Sequence, residues 1–595
     1  LPEKIIQAIK SDTVVKTAYN AQFERVCLSR YLKLPDGEYL NPQSWYCTAV
    51  QAAELALPLS LADVGSVLGL ERQKMTEGKE LIKYFCVPCK PTKSNGNCTR
   101  NRPCHDINKW ETFKKYCMRD VDVERQIADK LKMYPISDEE HRLYVLDQII
   151  NDRGVLVDSE LAEQAVKLNS IQTAVAVEQA YMITGLENPN SVTQLKQWLK
   201  EKGVEIESLS KKSVKSLADE TDGDVSEMLK LRLLMAKTSV KKYEAVIRSV
   251  CSDNRVHGMM RFCGANRTGR WSGNILQPQN LPQNHLPDLT LARDIVKDGD
   301  FEMLDMMFGN VPNVLSELIR TVLIPKPNHR FIVADFSAIE ARVLAWIAGE
   351  QWRIDTFKNG GDIYCASASK MFKVPVEKHG VNGELRQKGK ISELACGYGG
   401  SVGALKNMGA VEMGVQENEL QGLINDWRNA NPHIVRFWYE VGNAAMKAIK
   451  EKTTVPLGKL VFAYERGILF IRLPSGRRLS YIKPRIGTNR FGGDSITYMG
   501  INSAKKWDRL ETFGGKLTEN IVQGTARDLL ANALINAANA GYDTVFHVHD
   551  EIICEVPNGY GSVDELCKLM CIKPEWADGL PLNADGFECE YYKKE

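Results

Sequence analysis

Residues 331–342, FIVADFSAIEAR, constrain the fold of this chain more than any other stretch. Four apolar residues lead into Asp335, and helix-forming residues follow Ser337. The apolar run predicts a buried strand, and the change of period predicts a helix with Ser337 as its N-cap. Asp335 is therefore expected at the carboxyl end of a core strand, where a carboxylate must be solvated, paired or bound to a metal. Taken alone, such a residue is more often an ordinary aspartate of a strand-to-helix turn.

A second acidic group lies far downstream, in residues 545–556, VFHVHDEIICEV. Two short β-rich runs flank His549, Asp550 and Glu551, which predicts a hairpin with acids at its tip. Adjacent acids there suit either an exposed turn or a divalent cation. Because Mg²⁺ prefers one or two carboxylates plus waters and substrate phosphates, Asp335 and Asp550 together would make such a site. Two metals about 3.5–4 Å apart would then serve an in-line phosphoryl displacement.

Between these stretches lies a predicted helix that carries a polar and an apolar end. Steps of four residues place Arg386, Lys390, Leu394 and Tyr398 along one stripe, about 18 Å long at about 1.5 Å per residue. Two cations, an apolar residue and an aromatic ring could match a nucleotide, with the triphosphate at one end and the base at the other. The two glycines that follow are expected to end the helix. Considered in isolation, the same pattern is more typical of an amphipathic surface helix with a solvated basic end.

In this order, the three stretches resemble the three motifs of the family A (DNA polymerase I-like) DNA polymerases. The matching segments are DFSxIExR from Asp335, RxxxKxxxxxxxYG from Arg386 and VHDE from Val548. Ordered matches in three separated blocks rarely arise by chance. The wording of the first motif, and a leucine at 394 where many members carry an aromatic residue, resemble a phage and prophage-like branch of this family.

The resemblance implies a catalytic role for four residues. Asp335 and Asp550 would hold two Mg²⁺ ions, with Mn²⁺ as an alternative, and Glu551 would stand beside them. Lys390 would be the proton donor to the leaving pyrophosphate.

The resemblance also implies which side chains contact the incoming nucleotide. Arg386 and Lys390 would bind the triphosphate, and Tyr398 would lie near the template base. Glu340 would block a ribose 2′-OH. The remaining nucleotide contacts are expected from Leu394, which would pack near the sugar and base, and from His549.

DNA contacts are expected from a further set of polar residues. Arg270 would read the primer's minor groove, where the acceptors are similar for every base pair. Lys237 and Lys241 belong to a basic helical stretch, 225–250, whose phosphate contacts would carry no sequence information. On charge alone, that stretch could equally be a solvated helix face. The full set is Arg267, Arg270, Asn280, Arg342, Gln523, Lys237 and Lys241.

Residues 1–134 are expected to form a separate α/β unit. Asn20-x2-Phe-Glu24 and Tyr116-x3-Asp120 resemble two motifs of the DnaQ-like 3′–5′ proofreading exonucleases, with Glu24 where many members have aspartate. The Asp-x-Glu motif of an early strand is missing ahead of Asn20. The resemblance thus implies a partial RNase H-like domain whose exonuclease site is incomplete. It would be either inactive or without metal ligands that were lost with the N-terminus. Two ordinary amphipathic helices are the alternative.

Four cysteines cluster inside this unit, at Cys86, Cys89, Cys98 and Cys104. The surrounding segment is rich in Pro, Lys, Asn and Arg, which predicts an exposed loop. Four thiolates at this spacing could close a tetrahedral Zn²⁺ site. Because the later spacings match no familiar zinc ribbon, free cysteines in a basic loop are the favoured interpretation.

A chain of 595 residues is too long for one core, which predicts several domains. The resemblance implies an α/β multidomain (α+β) architecture, with a right-hand polymerase of palm, fingers and thumb behind the exonuclease-like domain. The expected segments are 1–134, exonuclease-like; 135–180, connector and start of the polymerase body; 181–254, thumb; 255–350, first part of the palm; 351–459, fingers; and 460–595, second part of the palm.

The composition excludes a strongly basic nucleic-acid binder. Lys and Arg number 77 and Asp and Glu 75, a net charge of +2, so DNA affinity must come from local patches. The 15 cysteines, scattered in apolar runs, suit a reducing compartment. Neither a membrane-spanning apolar run nor a signal peptide is recognisable. A cytoplasmic location, in a bacterial or phage-infected cell, is expected.

The expected reaction is template-directed addition of dNMPs to a primer 3′-OH, with release of pyrophosphate. Primer–template DNA and dNTPs are the expected partners of a monomer, which could also act with accessory replication proteins. A DNA-binding protein without catalysis would lack one metal-binding aspartate, whereas both are present. A single-subunit RNA polymerase shares the hand shape, but Glu340 at the sugar position favours dNTPs.

Overall fold

The structure is a computed structural model that describes residues 1–70, 75, 77–235, 240–489 and 492–594. It is a mixed α/β molecule, as the sequence predicts, with most of its strands in the second half of the chain. None of the described helices combines the length and the apolarity that crossing a bilayer requires.

The N-terminal unit contains one pair of short parallel strands among helices. The strands are β1 (Lys16–Ala18) and β2 (Trp45–Cys47). The helices are α1 (Glu3–Lys10), α2 (Ala21–Tyr31), α3 (Thr48–Glu54), α4 (Leu61–Val67), α5 (Gly78–Cys86) and α6 (Ile107–Leu131). Buried residues recur along α6 near the helical period, so one face of this long helix packs on the rest of the unit.

A mainly helical segment follows, which covers the predicted connector and thumb. Its elements are α7 (Asp138–Arg153), β3 (Val155–Val157), α8 (Ser159–Thr184), α9 (Val192–Glu201), α10 (Lys211–Glu220), α11 (Gly223–Met235) and α12 (Lys241–Ser249). The hydroxyls of Ser137 and Ser191 accept from backbone amides at the starts of α7 and α9, as helix N-caps do. Residues 236–239, which include Lys237, lie outside the described residues.

The next segment leads to the strand that carries Asp335. Its elements are β4 (Arg255–Val256), β5 (Met260–Ala265), β6 (Arg270–Gly273), α13 (Leu289–Asp298), α14 (Phe301–Phe308), α15 (Val311–Leu318), β7 (Leu323–Ile324), β8 (His329–Phe336) and α16 (Ile339–Ala348). The prediction that Ser337 caps α16 is wrong. Ala338, at φ 51°, precedes the helix, and the Ser337 hydroxyl instead donates to Asp585.

The predicted fingers are entirely helical among the described elements. They are α17 (Gln351–Lys358), α18 (Ile363–Phe372), α19 (Leu385–Cys396), α20 (Val402–Asn407), α21 (Leu420–Ala430) and α22 (Pro432–Glu451). Helix α19 ends before Tyr398, so the stripe expected to reach Tyr398 on one helix is interrupted there.

A six-stranded antiparallel sheet follows the helices. Its strands are β9 (Thr454–Leu457), β10 (Leu460–Glu465), β11 (Ile468–Arg472), β12 (Arg478–Thr488), β13 (Asp494–Ile501) and β14 (Trp507–Thr512), in the order β14-β13-β12-β11-β10-β9. Apolar and β-rich residues at 460–464, 468–471 and 478–481 predict strands, and the structure confirms them as β10, β11 and β12. Strands β13 and β14 were not anticipated.

A second sheet holds the predicted acidic site. After α23 (Gly514–Asn539) come β15 (Thr544–Val548), β16 (Glu551–Pro557), α24 (Val563–Met570) and β17 (Ala584–Cys589), and the sheet order is β15-β16-β8-β17. Side chains of β8 alternate between two cores. Ile332, Ala334 and Phe336 enter one, and Phe331 and Val333 enter the other. Burial on both faces explains why this strand is a continuous apolar run.

The N-terminal unit packs on the six-stranded sheet and on α23. Phe470 of β11 lies in one apolar cluster with Leu55, Val123 and other residues of α3, α4 and α6. Helix α23 contacts the unit through a second apolar cluster. Its buried Arg527 also forms a two-bond ion pair with Glu140 of α7, just after the unit, at 2.6 and 2.7 Å. These contacts join the first third of the chain to the last.

Candidate active site

Three carboxylates meet at one end of the four-stranded sheet. Asp335 is the penultimate residue of β8, Glu551 is the first of β16, and the two are paired in register. Asp550 lies in the turn before β16, where its carbonyl accepts from the Phe336 amide at 3.3 Å. His549, at φ 56°, provides the left-handed residue of this tight turn. The structure thus brings the predicted strand end and the predicted acidic hairpin together.

Burial and the neighbouring acids raise the pKa of Asp335. Burial, followed by the charges of Asp550 and Glu551, raises the pKa of Asp335 to about 7, while Lys594 acts in the opposite direction. Burial also raises the pKa of Asp550. Like charges gathered in a partly buried place favour protonation or a bound cation.

Sequence reasoning missed the partners of these acids near the end of the chain. The Lys594 ammonium lies 3.7 Å from Asp335 and 3.4 Å from Glu551. The Tyr592 hydroxyl donates to Glu551 at 2.7 Å and accepts from buried Arg320 at 3.0 Å. Glu551 therefore has a hydrogen bond and an ion pair, whereas Asp335 has the longer of the two contacts to Lys594. No local motif marks Lys594 or Tyr592, because both are brought to the site by the pairing of strands that are distant in sequence.

The surroundings of one Asp335 carboxylate oxygen show whether this site suits a metal ion. Its Oδ1 atom is buried and has no hydrogen-bond partner among the described residues. Buried acceptors are normally satisfied, so an orphaned carboxylate oxygen beside a second aspartate suits a cation ligand. Asp335 and Asp550 therefore fit a divalent metal, and Mg²⁺ and Mn²⁺ both accept such oxygen ligands.

Glu340 connects two other predicted site residues. Its carboxylate accepts from the Arg270 guanidinium at 2.6 Å and from the Tyr398 hydroxyl at 2.8 Å. Burial, then Glu340, raises the pKa of Tyr398 well above its ordinary value. The first turn of α16, the strand β6 and the turn after α19 thereby meet at one carboxylate. Arg270 is predicted to contact DNA, and here its charge is matched by Glu340.

The two cations of helix α19 differ in whether they are paired with an acid. Arg386 bonds to Asp362 at 2.8 and 2.9 Å, so its guanidinium is partly neutralised. Lys390 is exposed and forms no ion pair within the described part of the chain. Leu394 is 51% exposed, as a side chain that covers a nucleotide rather than a core would be.

Gly389 lets α19 approach α18 closely. A Cβ atom at this position would lie 2.3 Å from the Tyr364 carbonyl oxygen and 3.1 Å from the Ala368 methyl. Glycine inside a helix is unfavourable by about 1 kcal/mol relative to alanine, so the close contact is the physical reason for it. It also keeps Arg386 beside Asp362.

Two residues predicted to contact DNA have partners within the fold. Arg342 is only 6% exposed, and its guanidinium donates to the carbonyls of Ser337 and Pro581, so it does not face DNA. Arg267 donates to the Ser480 carbonyl at 3.0 Å and lies over the rings of Tyr481 and Tyr498. Both arginines therefore join elements of the fold.

The other predicted DNA contacts remain on accessible surface. Asn280 is exposed and donates to the Gln277 side chain at 2.9 Å. Gln523 is half-buried on α23, 3.5 Å from Glu519. Lys241 is exposed at the start of α12. His549 is exposed at the acidic turn, although burial of its ring and nearby cations lower its pKa.

The exonuclease-like residues lie on two helices of the N-terminal unit. Asn20 stands in the left-handed conformation before α2, which carries Glu24. Tyr116 is buried on α6, and Asp120 follows one turn later. Burial raises the pKa of Glu24 to about 7, and the charge of Glu124 on α6 contributes, so α2 and α6 approach at these acids.

No three of the four loop cysteines have sulfur atoms mutually within 4.8 Å among the described residues. The Zn²⁺ hypothesis therefore gains no support from this geometry. The described residues contain one cluster of three potential ligands, Glu54, Glu140 and Cys263. Because Glu140 is already paired with Arg527, a cation there would meet a competing guanidinium.

Three comparisons relate this chain to known proteins. A family model described as DNA polymerase family A matches residues 159–571. A DNA polymerase of Bacillus phage SP02 is 52% identical over 598 residues, covering 100% of this chain and 92% of the phage protein. The thermostable DNA polymerase I of Thermus aquaticus is 27% identical over 265 residues, 44% of this chain and 27% of that protein.

A solved structure has a similar fold. It is the POL domain of Pol1 from M. smegmatis in complex with DNA primer-template and dNTP, with a TM-score of 0.62. The superposition covers 99% of this chain and 89% of that chain at 19% identity. At this identity the likeness establishes the fold alone, which is the right-hand polymerase fold predicted from the motifs.

Proposed function

The chain belongs to DNA polymerase family A and is a DNA polymerase, and we propose a role in this reaction for each residue of the site. Template-directed growth of a primer requires attack of the 3′-OH on the α-phosphate of a dNTP, with pyrophosphate as the leaving group. Primer–template DNA and dNTPs are the partners we propose. Asp335 and Asp550 carry this proposal, because Asp335 has a buried oxygen without a donor beside a second acid.

Polymerases of this family use divalent metal ions, and Asp335 and Asp550 would hold them here. Two Mg²⁺ ions, or Mn²⁺, would supply Lewis-acid activation of the primer hydroxyl and neutralisation of the triphosphate. Glu551 acts as a positioning residue, since its bonds to Tyr592 and Lys594 fix the start of β16. Lys594 also limits the repulsion among the three acids.

Helix α19 binds the nucleotide. Lys390, exposed and unpaired within the described chain, binds the triphosphate and donates a proton to the leaving pyrophosphate. Arg386 contributes a second cation, with Asp362 fixing the direction of its guanidinium. Leu394 and Tyr398 cover the sugar and the base. Charge stabilisation by these groups supplies much of the rate enhancement.

Selection of deoxyribose is assigned to Glu340. Its side chain is fixed by bonds to Arg270 and Tyr398, so it cannot swing away from an added 2′-OH without breaking both. Arg270, positioned by the same carboxylate, lies ready to contact the primer. Duplex contacts from Asn280, Gln523 and Lys241 complete the DNA site.

For the segment boundaries, we propose a thumb at 181–254, fingers at 351–459 and a palm divided between 255–350 and 460–595. The unit at 1–134 is proposed as an exonuclease-like domain without excision activity, since two of its three expected motifs are recognised. Connector residues 135–180 link it to the palm.

A primer-extension gel tests the catalytic assignment. A 5′-labelled primer on a longer template is incubated with dNTPs and Mg²⁺, using the wild-type chain, Asp335→Asn, Asp550→Asn and the matched control Asp585→Asn. Asp585 is also in register with Asp335 but is exposed and bonded to Ser337. We expect extension by the wild type and by the control only.

Two other patterns on the same gel would contradict the proposal. Extension by Asp335→Asn or Asp550→Asn equal to wild type would remove these residues from the metal site. Primers shortened by the wild-type chain would show that the exonuclease-like unit is active.

A further inference from the structure

The loop of residues 87–105 joins α5 to α6 and takes no part in the polymerase function described above. Its nineteen residues include four Lys or Arg and no Asp or Glu. All four of these side chains are exposed, at Lys90, Lys93, Arg100 and Arg102. None of them forms an ion pair or a side-chain hydrogen bond with any other described residue. The loop is therefore a concentration of uncompensated positive charge.

Hydrogen bonds within the loop hold its shape. Asn95 is buried and donates to the Lys90 carbonyl at 3.2 Å and to the Cys89 sulfur at 3.3 Å. The Cys89 amide donates to the Thr99 carbonyl at 2.7 Å. Four like charges on a fixed backbone repel one another, and an anionic ligand would relieve that repulsion.

Partly exposed aromatic rings lie at the base of the loop. Buried Phe85, two residues before the loop, contacts Tyr84 and Trp110, with ring centroids 4.8 and 5.3 Å apart. Phe113 stacks on Phe85 at 5.5 Å and on Tyr116 at 6.0 Å. Tyr84, Trp110 and Phe113 each keep part of their surface exposed. The cationic loop thus adjoins a cluster of aromatic rings that are partly exposed.

We propose that this loop and the adjoining rings bind single-stranded DNA, at a site separate from the cleft that holds the primer–template. Cations along a backbone track together with aromatic faces for stacking are the features that bind single strands without sequence preference. Phosphate contacts explain the exposed cations, and unstacked bases explain why a single strand is favoured over a duplex. The site requires neither polymerase catalysis nor a complete exonuclease site.

The test uses fluorescence anisotropy of labelled oligo(dT) with the full chain. The polymerase cleft is first filled with an unlabelled hairpin primer–template that ends in a dideoxynucleotide, together with the next dNTP. The variants are K90Q/K93Q, R100Q/R102Q and the matched control K130Q/K132Q. The control removes the same charge from exposed lysines at the far end of α6, about 35 Å along the helix.

Each loop variant is expected to weaken oligo(dT) binding on the order of tenfold near 0.1 M salt. The slope of log binding constant against log salt concentration should become smaller by about 1.4, since two phosphate contacts are lost. The control should bind like the wild type, and all variants should extend a primer normally. Equal binding by loop and control variants, or no binding by the loaded wild-type chain, would overturn the site. Equal competition by unlabelled duplex would overturn its single-strand preference. A catalytic failure with normal oligo(dT) results would affect only the function proposed above.

Discussion

At the scale of single residues, we propose two roles for Glu340, sugar selection by bulk and positioning of Arg270 by charge, and two substitutions separate them. Glu340→Ala removes the bulk beside the ribose and also frees Arg270 and Tyr398. We expect the ratio of rNTP to dNTP kcat/KM to rise on the order of a hundredfold, as for a pocket that stops rejecting one hydroxyl. Single-turnover incorporation of matched rNTP and dNTP measures this ratio.

Glu340→Gln is the matched control, because it keeps the size and loses the charge. It should retain rNTP exclusion while weakening the contact to Arg270. An equal rise in ribonucleotide use for both variants would indicate that charge rather than bulk performs the selection. No change in either variant would remove Glu340 from the sugar site.

Glu54 is a second residue with a measurable consequence, in this case for stability. It lines a cavity of about 600 Å³ between the N-terminal unit and α23. Burial, then the charge of Glu140, raises its pKa from 4.5 to about 8. The folded state therefore binds the extra proton between these values. The stability that this proton supplies is present below about pH 4.5 and is lost as the pH rises through about 8.

Glu54→Gln should therefore stabilise the chain on the order of 2 kcal/mol at about pH 9 and have little effect at about pH 5. Urea unfolding at the two pH values checks this difference. Glu139→Gln is the control, since Glu139 lines the same cavity but is exposed. A pH-independent effect of Glu54→Gln would contradict the explanation.

At the scale of elements, the contact between α18 and α19 determines how Arg386 is presented. Gly389→Ala would place a methyl 2.3 Å from the Tyr364 carbonyl oxygen. Because the backbone cannot accept this distance, α19 must move away from α18 and from Asp362. We expect a higher KM for dNTPs, measured by steady-state extension, with primer–template affinity unchanged.

Gly422→Ala supplies the control for helix propensity. Gly422 is exposed on α21, and a Cβ there meets nothing within 4 Å. That change should stabilise the chain by up to about 1 kcal/mol and leave the KM unaltered. A wild-type KM for Gly389→Ala would show that the close packing does not control nucleotide binding.

At the scale of the whole molecule, the six-stranded sheet joins the N-terminal unit to the polymerase. Phe470 is 2% exposed and lies in the cluster that contains residues of α3, α4 and α6. Phe470→Ala should cost about 3–5 kcal/mol and reduce protection of those helices. Hydrogen exchange followed by mass spectrometry measures the protection helix by helix.

Phe462→Ala tests whether this loss is specific to the domain contact. Phe462 is fully buried in the neighbouring cluster, with residues of α22 and β12. Phe462→Ala should destabilise the sheet. The amides of α3 and α6 should nevertheless keep more protection from exchange than they do in Phe470→Ala. Identical exchange patterns for the two variants would argue against the sheet as the joint between the units.

Local sequence patterns were enough to predict the parts of the site and the family to which the chain belongs. The strand that ends in Asp335, the acidic hairpin and the basic start of α19 each follow from periodicity and turn chemistry within a few residues. Ordered motifs then led to the right-hand fold, which the family match and the structural likeness confirm. Local signals were weaker for β13 and β14, which were missed.

The pairing of charged side chains, in contrast, could be seen only in the folded chain. Arg342 and Arg267 were predicted to contact DNA, yet their guanidinium groups donate hydrogen bonds to carbonyls of distant segments. Lys594 carries no motif, yet it reaches Asp335, more than 250 positions earlier, because β17 pairs with β8. A charge's partner is set by strand order and helix packing, which bring remote residues together. Residue type and spacing in the sequence do not contain that information.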